Sequence, residues 1–245
     1  MRILLMALRL AWIAIWTAIW AAILPGWPAV AMSAEPVRHI GIYVHPFYEA
    51  ARTPDGRPQV AVGKQYNDLL GSSRREDIVA ARDLILAKPA VVTPMAMMVL
   101  AIRLYDVGLR DDAVFWFYAA KERYVVMSEV LDVKTQTLAQ ADDAMRSFAS
   151  LAGPIINGYA FCDLAKQIEQ HAKAVTWVEA NPYEVMFMAR APALPGDRAA
   201  NARRAIDTAK DRAAKERAYF DNTRTRETYY ATRKQNGAED KFCWK

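Results

Sequence analysis

The chain of 245 residues is poor in the residue types that define several specialised protein classes. It contains only two cysteines, which excludes a disulfide-dense mini-scaffold. Its ten glycines and twelve prolines are ordinary numbers for this length, so collagen-like and low-complexity chains are excluded as well. With 53% hydrophobic and 24% charged residues, the composition is that of a globular protein and not of a disordered one.

The sequence also lacks the short motifs that mark common catalytic chemistries. No His-Glu-x-x-His, Gly-x-Ser-x-Gly or Cys-x-x-Cys pattern occurs, and there is no glycine-rich phosphate loop. His39 and His45 lie six residues apart on a predicted strand and therefore share one face. Because no third ligand follows at a defined spacing, we predict no metal site and no cofactor. A cell-envelope hydrolase with a site near His39 and His45 is the enzymatic alternative.

The first 34 residues differ in composition from the rest of the chain. Arg2 and Arg9 are their only charged residues, and an apolar run over 10–24 is broken by Pro25-Gly26. This run is shorter than the about 20 residues that a membrane-spanning helix needs. With the small residues at 29–31, it is typical of a secretory signal peptide cleaved after residue 31 or 34. We therefore predict a periplasmic or secreted protein without stable membrane insertion after cleavage; an uncleaved anchor is the alternative.

Both cysteines, Cys162 and Cys243, follow the predicted signal peptide. In an oxidising compartment such a pair is expected to form a disulfide, which would hold the C-terminus against the middle of the chain. A loop of about 80 residues makes this bond worth about 4 kcal/mol by the chain-entropy relation. A reactive thiol with His171 as its partner is the alternative.

Charge is distributed unevenly along the chain. The net charge is +5, and residues 198–245 hold 13 Lys/Arg against 7 Asp/Glu. A basic C-terminal segment of this kind can meet nucleic acid, anionic lipid or an acidic protein surface. Because an exported protein rarely meets nucleic acid and the charges are interleaved, we predict a solvated helix face and no nucleic-acid partner.

Apolar periodicity predicts a mainly α fold with a small N-terminal β-hairpin. Alternation over 38–45, a turn over 53–56 and a short strand over 58–62 predict the hairpin within 35–70. Helical spacing then predicts a bundle of helical hairpins over 71–245. One helix is predicted to begin with a capping box at Ser73, and the next is predicted to begin at Thr93-Pro94 and to end at Gly108. A further helix is predicted over 129–151, ending at Gly153-Pro154. A break is predicted at Asn181-Pro182, and the last long helix is predicted to begin at Asp197.

Residues 94–127 resemble one tetratricopeptide or Sel1-like repeat. The resemblance lies in Leu100-Ala101, Gly108, Ala113, Trp116-Phe117 and Ala120, whereas Met97, Tyr105 and Val125 depart from the repeat pattern. In such repeats two antiparallel helices pack through small residues, here Ala101 and Ala113, and an aromatic residue, here Phe117, fills the space between them. The resemblance implies binding of a protein or peptide and not catalysis. An ordinary helical hairpin is the alternative.

Four consecutive aromatic residues occupy positions 115–118, on the second predicted helix of this pair. At 100° per residue they cannot all face one core. Core packing is the favoured interpretation, and a recognition surface formed by Phe115, Trp116 and Tyr118 is the alternative. Taken together, the sequence predicts a non-enzymatic periplasmic protein that binds another protein, as an immunity or inhibitor factor against a secreted toxin or as an envelope assembly factor.

Overall fold

A computed structural model describes residues 36–40 and 64–243. Within these ranges the protein is mainly helical, as the sequence predicts, and no β-strand forms beyond an isolated antiparallel bridge between Leu131 and Ala193. The helices are α1 (Lys64–Gly71), α2 (Arg75–Ala87), α3 (Pro94–Asp106), α4 (Arg110–Val130), α5 (Ala139–Ala160), α6 (Leu164–Ala180), α7 (Arg198–Asp221), α8 (Thr223–Gln235) and α9 (Ala238–Phe242). Short 3-10 turns, Pro89–Val91 and Glu184–Phe187, follow α2 and α6.

The structure describes only part of the N-terminal region to which the signal-peptide and hairpin predictions apply. The predicted signal peptide over 1–34 and nearly all of the predicted hairpin strands lie outside the described residues. Helix α1 differs from the prediction, which places residues 64–70 in the hairpin region. Its buried residues Tyr66 and Leu70 lie one turn apart in a helix that contacts α2 and α3. Eight residues with two core positions give too weak a periodic signal to be recognised from sequence.

Helices α3 and α4 form a helical hairpin at the centre of the fold, and α4 also contacts α5, α6 and α7. Eleven of the thirteen residues of α3 are buried, so other helices enclose it on nearly all sides. This hairpin spans the repeat-like segment, with Ala101, Ala113 and Phe117 all buried; the repeat assignment stays a prediction. No helix in the part of the chain that the structure describes combines the length and apolar composition needed to cross a bilayer.

Three predicted helix boundaries are confirmed in atomic detail. At the start of α3, Thr93 Oγ1 accepts a hydrogen bond from the Ala96 N–H at 3.0 Å. At the start of α7, Asp197 accepts from the Ala200 N–H at 2.8 Å. Gly108 follows α3 with a φ of +83°, the left-handed conformation that favours glycine. These residues satisfy or redirect backbone groups that a helix end leaves unpaired.

Two other predicted boundaries are wrong. Before α2 it is Ser72, not Ser73, whose hydroxyl accepts a hydrogen bond from the Arg74 N–H, at 3.1 Å. The helix predicted over 129–151 begins only at Ala139, and α5 continues through Pro154 to Ala160. A proline removes one helical hydrogen bond. Ala152 and Ile156 on either side of it are fully buried, and their packing stabilises the helix beyond the proline.

A disulfide links the end of α9 to the junction of α5 and α6. The predicted disulfide between Cys162 and Cys243 is present. Beside it, the Phe242 ring lies so close to Gly158 that a Cβ at this glycine would be 2.7 Å from the ring. The segment over 36–40 reaches the same region, since the Val37 N–H donates to the Lys241 carbonyl at 3.1 Å. Both ends of the described chain therefore pack together.

Candidate functional site

A group of charged and polar side chains lies buried between α4, α6 and α7. The two ring nitrogens of His171 contact two carboxylates: Nδ1 is 2.6 Å from Glu216 Oε2, and Nε2 is 3.2 Å from Glu122 Oε1. The Gln167 amide nitrogen donates to the Tyr118 hydroxyl at 2.9 Å and to Glu216 at 3.1 Å. The Tyr118 ring stacks on His171, with 4.8 Å between the ring centroids. We call these five residues the His171 cluster.

The charges of the His171 cluster and Arg212 balance one another: protonated His171 and Arg212 are the cations, and Glu122 and Glu216 are the anions. Burial acts to lower the pKa of His171, but the hydrogen bonds that its ring donates to Glu122 and Glu216 outweigh this effect and raise that pKa. Burial acts to raise the pKa of both carboxyls, and pairing with His171 lowers each of them instead. Arg212 lies 2.6 Å from the second oxygen of Glu122. Two cations and two anions thus link three helices.

This arrangement favours a structural role over catalysis or metal binding. Both ring nitrogens of His171 are engaged, so neither is free to ligate a metal or to accept a proton from a substrate. The Glu122 side chain is only 2% exposed, which keeps it from solvent and from any substrate. Among the residues that the structure describes, no group of three or more His, Cys, Asp or Glu side chains is placed to hold a metal ion.

The cysteines do not pair with His171. Both sulfur atoms belong to the disulfide, and Nη2 of Arg233 lies 3.4 Å from the sulfur of Cys162 and 3.3 Å from that of Cys243. The same nitrogen donates to the Gly158 carbonyl at 2.9 Å, which fixes the guanidinium beside the bond. The prediction of a structural disulfide is confirmed, and the reactive-thiol alternative is wrong.

The aromatic residues of α4 lie in or beside the core. Trp116 and Tyr118 are buried, whereas Phe115 is half-buried. Phe115 and Trp116 meet the Trp177 ring edge-on, with centroid distances of 6.2 Å and 5.3 Å, and Tyr118 belongs to the His171 cluster. Successive rings face different helices, as their angular spacing requires. A recognition role for Phe115, Trp116 and Tyr118 stays a prediction.

The two histidines of the hydrolase alternative are described only in part. His39 is exposed, and His45 lies outside the described residues. The short segment that carries His39 is held against α3, since the Ile40 N–H donates to Asp106 at 2.6 Å. The predicted common face of the histidine pair stays a prediction.

An apolar hollow of about 100 Å³ opens between α3, α4 and α5. Its lining is mostly apolar and includes Met95, Met127, Met145, Tyr183 and Val185. The turn that contributes Val185 continues into two strongly exposed apolar side chains, Phe187 at 45% and Met188 at 56%. We call the hollow together with Phe187 and Met188 the Tyr183 surface.

The backbone that carries Phe187 and Met188 is fixed by Arg198 of α7. Its guanidinium donates to the carbonyl oxygens of Met186 at 2.9 Å, Met188 at 2.7 Å and Ala191 at 2.8 Å. An anchored segment loses little conformational freedom when a partner binds, so more of the contact energy is retained as affinity. The exposed apolar side chains are therefore presented on a rigid support.

Charged residues of both signs lie in and just after the turn that carries Phe187 and Met188. Arg190, two residues after Met188, is exposed and forms no ion pair with another residue of the described ranges. Glu184, three residues before Phe187, is exposed as well.

Neither the Tyr183 surface nor the carboxylates of the His171 cluster is predicted from the sequence. A usable signal for the surface is the apolar run over 185–188, which lies between Pro182 and Pro192. No comparable signal marks the cluster. Glu122 and Glu216 lie 94 positions apart on separate helices, and only the packing of α4 against α7 brings them to His171.

Comparison with known proteins finds a relative of this chain. A Haemophilus influenzae protein described as an uncharacterized protein is 33% identical to this chain over 215 residues, which are 87% of this chain and 82% of that protein. No protein-family model matches the chain. No solved structure matches it.

Proposed function

We propose that this chain is an exported, non-enzymatic protein that binds another protein through the Tyr183 surface. The chain belongs to the same family as the Haemophilus influenzae protein. The observation that carries this proposal is the exposure of Phe187 and Met188 on an anchored backbone beside an apolar hollow. Methionine and aromatic residues are enriched in the cores of protein interfaces, and grouped exposed apolar side chains mark interaction sites.

The shape and charge of the Tyr183 surface define the partner's chemistry. A hollow of about 100 Å³ accepts one apolar side chain of the partner. Arg190, exposed two residues after Met188, favours a carboxylate of the partner beside that side chain, because complementary charges speed association and fix register. The occupant is therefore a protein that presents an apolar side chain next to a carboxylate.

The proposed place of action is outside the cytoplasm. The disulfide between Cys162 and Cys243 supports it, because such bonds persist in oxidising compartments. The signal peptide predicted over 1–31 or 1–34 directs export from the cytoplasm. Mass spectrometry of protein from the periplasmic fraction should find an N-terminus at Met32 or Glu35. An intact Met1 in the membrane fraction would contradict cleavage.

Affinity capture with matched surface variants tests the interaction. The variant Phe187→Ser/Met188→Ser removes the exposed apolar pair, and Leu84→Ser/Leu86→Ser is the control, since these α2 residues are 46% and 47% exposed. We expect wild type and control to retain a protein from envelope extract that the first variant loses. Thermal denaturation should first show that both variants are folded. Retention of the same proteins by wild type and both variants would then refute the proposal.

Two further measurements assign the partner. Sedimentation velocity of the purified protein should show a monomer; a dimer that Phe187→Ser/Met188→Ser disrupts would make a second copy of the chain the occupant and overturn the proposal of a different partner. Mass spectrometry of the retained protein decides between the predicted roles. A secreted toxin supports an immunity or inhibitor factor, and an envelope-assembly component supports an assembly factor.

A further inference from the structure

A second hollow, of about 180 Å³, opens between α4, α6 and α7. Most of its lining is apolar and comes from all three helices and the turn after α6: Val126, Val178, Tyr183, Met186 and Ile206. Two arginines, Arg123 and Arg203, also line it. The hollow therefore combines an apolar body with cationic groups.

Arg123 is the unusual member of this lining. It is 1% exposed, and its contacts are backbone carbonyl oxygens, those of Pro89 and Val92 at 2.6 Å and 2.9 Å and that of Asn181 at 2.6 Å. The guanidinium also lies over the Trp177 ring, 4.8 Å from its centroid. No carboxylate of the described ranges pairs with it, and its buried Nε has no hydrogen-bond partner.

Arg123 therefore has no counter-ion among the described residues, and its charge is stabilised only by carbonyl oxygens and the Trp177 ring. Burial lowers the pKa of Arg123 to about 10, so the group is still a cation at neutral pH. Buried charges in proteins are ordinarily paired, because desolvation of an isolated ion is costly. A cation in this position stabilises an anion that enters the hollow.

The mouth of the hollow adds to the positive charge. Arg203 is exposed there and has no ion pair with the described residues. The carboxylate that lines the hollow, Glu179, is already bound by Lys210 at 2.6 Å. An entering anion thus meets two arginines and one carboxylate whose charge is already balanced.

We propose that this hollow is a binding site for a carboxylate carried on a short apolar chain. The carboxylate lies at Arg123 and Arg203, and the chain contacts Val126, Val178 and Ile206. A cavity of about 150 Å³ holds benzene, so 180 Å³ suits a chain of about five carbons. Such a group is offered by a free aliphatic acid or by the C-terminus of a peptide that ends in an apolar residue. Tyr183 lines both hollows, but this proposal does not depend on the docking proposed for Phe187 and Met188.

Calorimetric titration of the full-length folded protein tests the site with four probes. They are hexanoate, hexanamide, and a tetrapeptide ending in leucine with either a free or an amidated C-terminus. We expect at least one carboxylate probe to bind at least tenfold more tightly than its amide, because the amide leaves Arg123 without a counter-charge. Hexanoate binding identifies a free acid as the source, and binding of the free-carboxylate peptide alone identifies a peptide C-terminus. Equal binding of acid and amide, or no binding of either carboxylate probe, overturns the proposal.

Variants on the surface of α7 locate the binding. Ala202→Phe places a ring in the hollow that Ala202 lines, and Ala214→Phe is the matched control on an exposed position of the same helix. We expect the first to abolish binding and the second to leave it unchanged. Arg203→Gln, at an exposed position, should weaken carboxylate binding about two- to fivefold, as for an exposed ion pair. Unchanged binding in Ala202→Phe would overturn the assigned location.

Discussion

The substitution His171→Phe removes the central cation of the His171 cluster and keeps a ring to stack on Tyr118. Glu122, whose side chain is 2% exposed, then keeps only Arg212, which is 42% exposed and partly screened. Removing one partner of a buried ion pair costs about 3–5 kcal/mol. Because Arg212 remains and the Glu216 side chain is 24% exposed, we expect the lower end, about 3 kcal/mol. In a protein of this size the melting temperature should fall by about 6–12 °C.

The assay is equilibrium urea denaturation of wild type, His171→Phe, Glu122→Gln and the double variant, followed by circular dichroism. Glu122→Gln removes the buried charge that His171→Phe leaves paired with Arg212 alone. The double variant should therefore lose less stability than the sum of the single variants, by about 1 kcal/mol or more. Additive losses would show that the ion network contributes no coupling and would refute the reasoning.

The same network predicts how stability depends on pH. His171 has a folded pKa raised above 6.5, so its contribution is complete below pH 6.5 and is lost as pH rises through the folded value. Glu122 and Glu216 have folded pKa values lowered from 4.5, so their contribution is complete above pH 4.5 and is lost as pH falls through those values. We expect the network to stabilise most between pH 4.5 and 6.5. A decline above pH 6.5 that persists unchanged in His171→Phe would contradict this assignment.

Further substitutions test three separate parts of the fold. Cys162→Ser and Cys243→Ser should destabilise alike by about 2–5 kcal/mol in urea denaturation, and two titratable thiols in the native oxidised protein would contradict the disulfide. Gly158→Ala should lower the melting temperature because its Cβ would lie 2.7 Å from the Phe242 ring, and Phe242→Ala should remove most of that effect. Thr93→Ala should cost about 1 kcal/mol through loss of the α3 cap, against little change in the exposed mid-helix control Thr176→Ala.

Helix ends with their own local chemistry were predictable from the sequence. Thr93, Gly108 and Asp197 act through contacts within three residues or through their own backbone conformation, so the signal lies next to the boundary that it sets. The end of α5 was not predictable in this way. Whether Pro154 ends a helix depends on the burial of Ala152 and Ile156, and helices distant in sequence provide that burial.

The candidate sites were beyond sequence reasoning for a related reason. The sequence predicts a solvated face for the basic C-terminal segment, yet Arg212 and Glu216 from that segment turn toward α4 and α6. Arg123 likewise looks like an ordinary surface cation in the sequence, and it becomes unusual only because α6 and the segments at Pro89 and Asn181 enclose it. A charge pattern in the sequence shows which charged residues are present, whereas tertiary packing determines how deeply each of them is buried.

The hydrogen bond between Val37 and Lys241 has a consequence for the order of folding. The ribosome makes Val37 about 200 positions before the residue to which its backbone binds. The other hydrogen bonds of this segment, from Ile40 to Asp106 and from Tyr105 to Val37, join it to α3, which is made much earlier. Contacts of such long sequence separation also form slowly, because chain entropy must be lost before they contribute. The contact between the two ends of the described chain therefore cannot form until synthesis is almost complete.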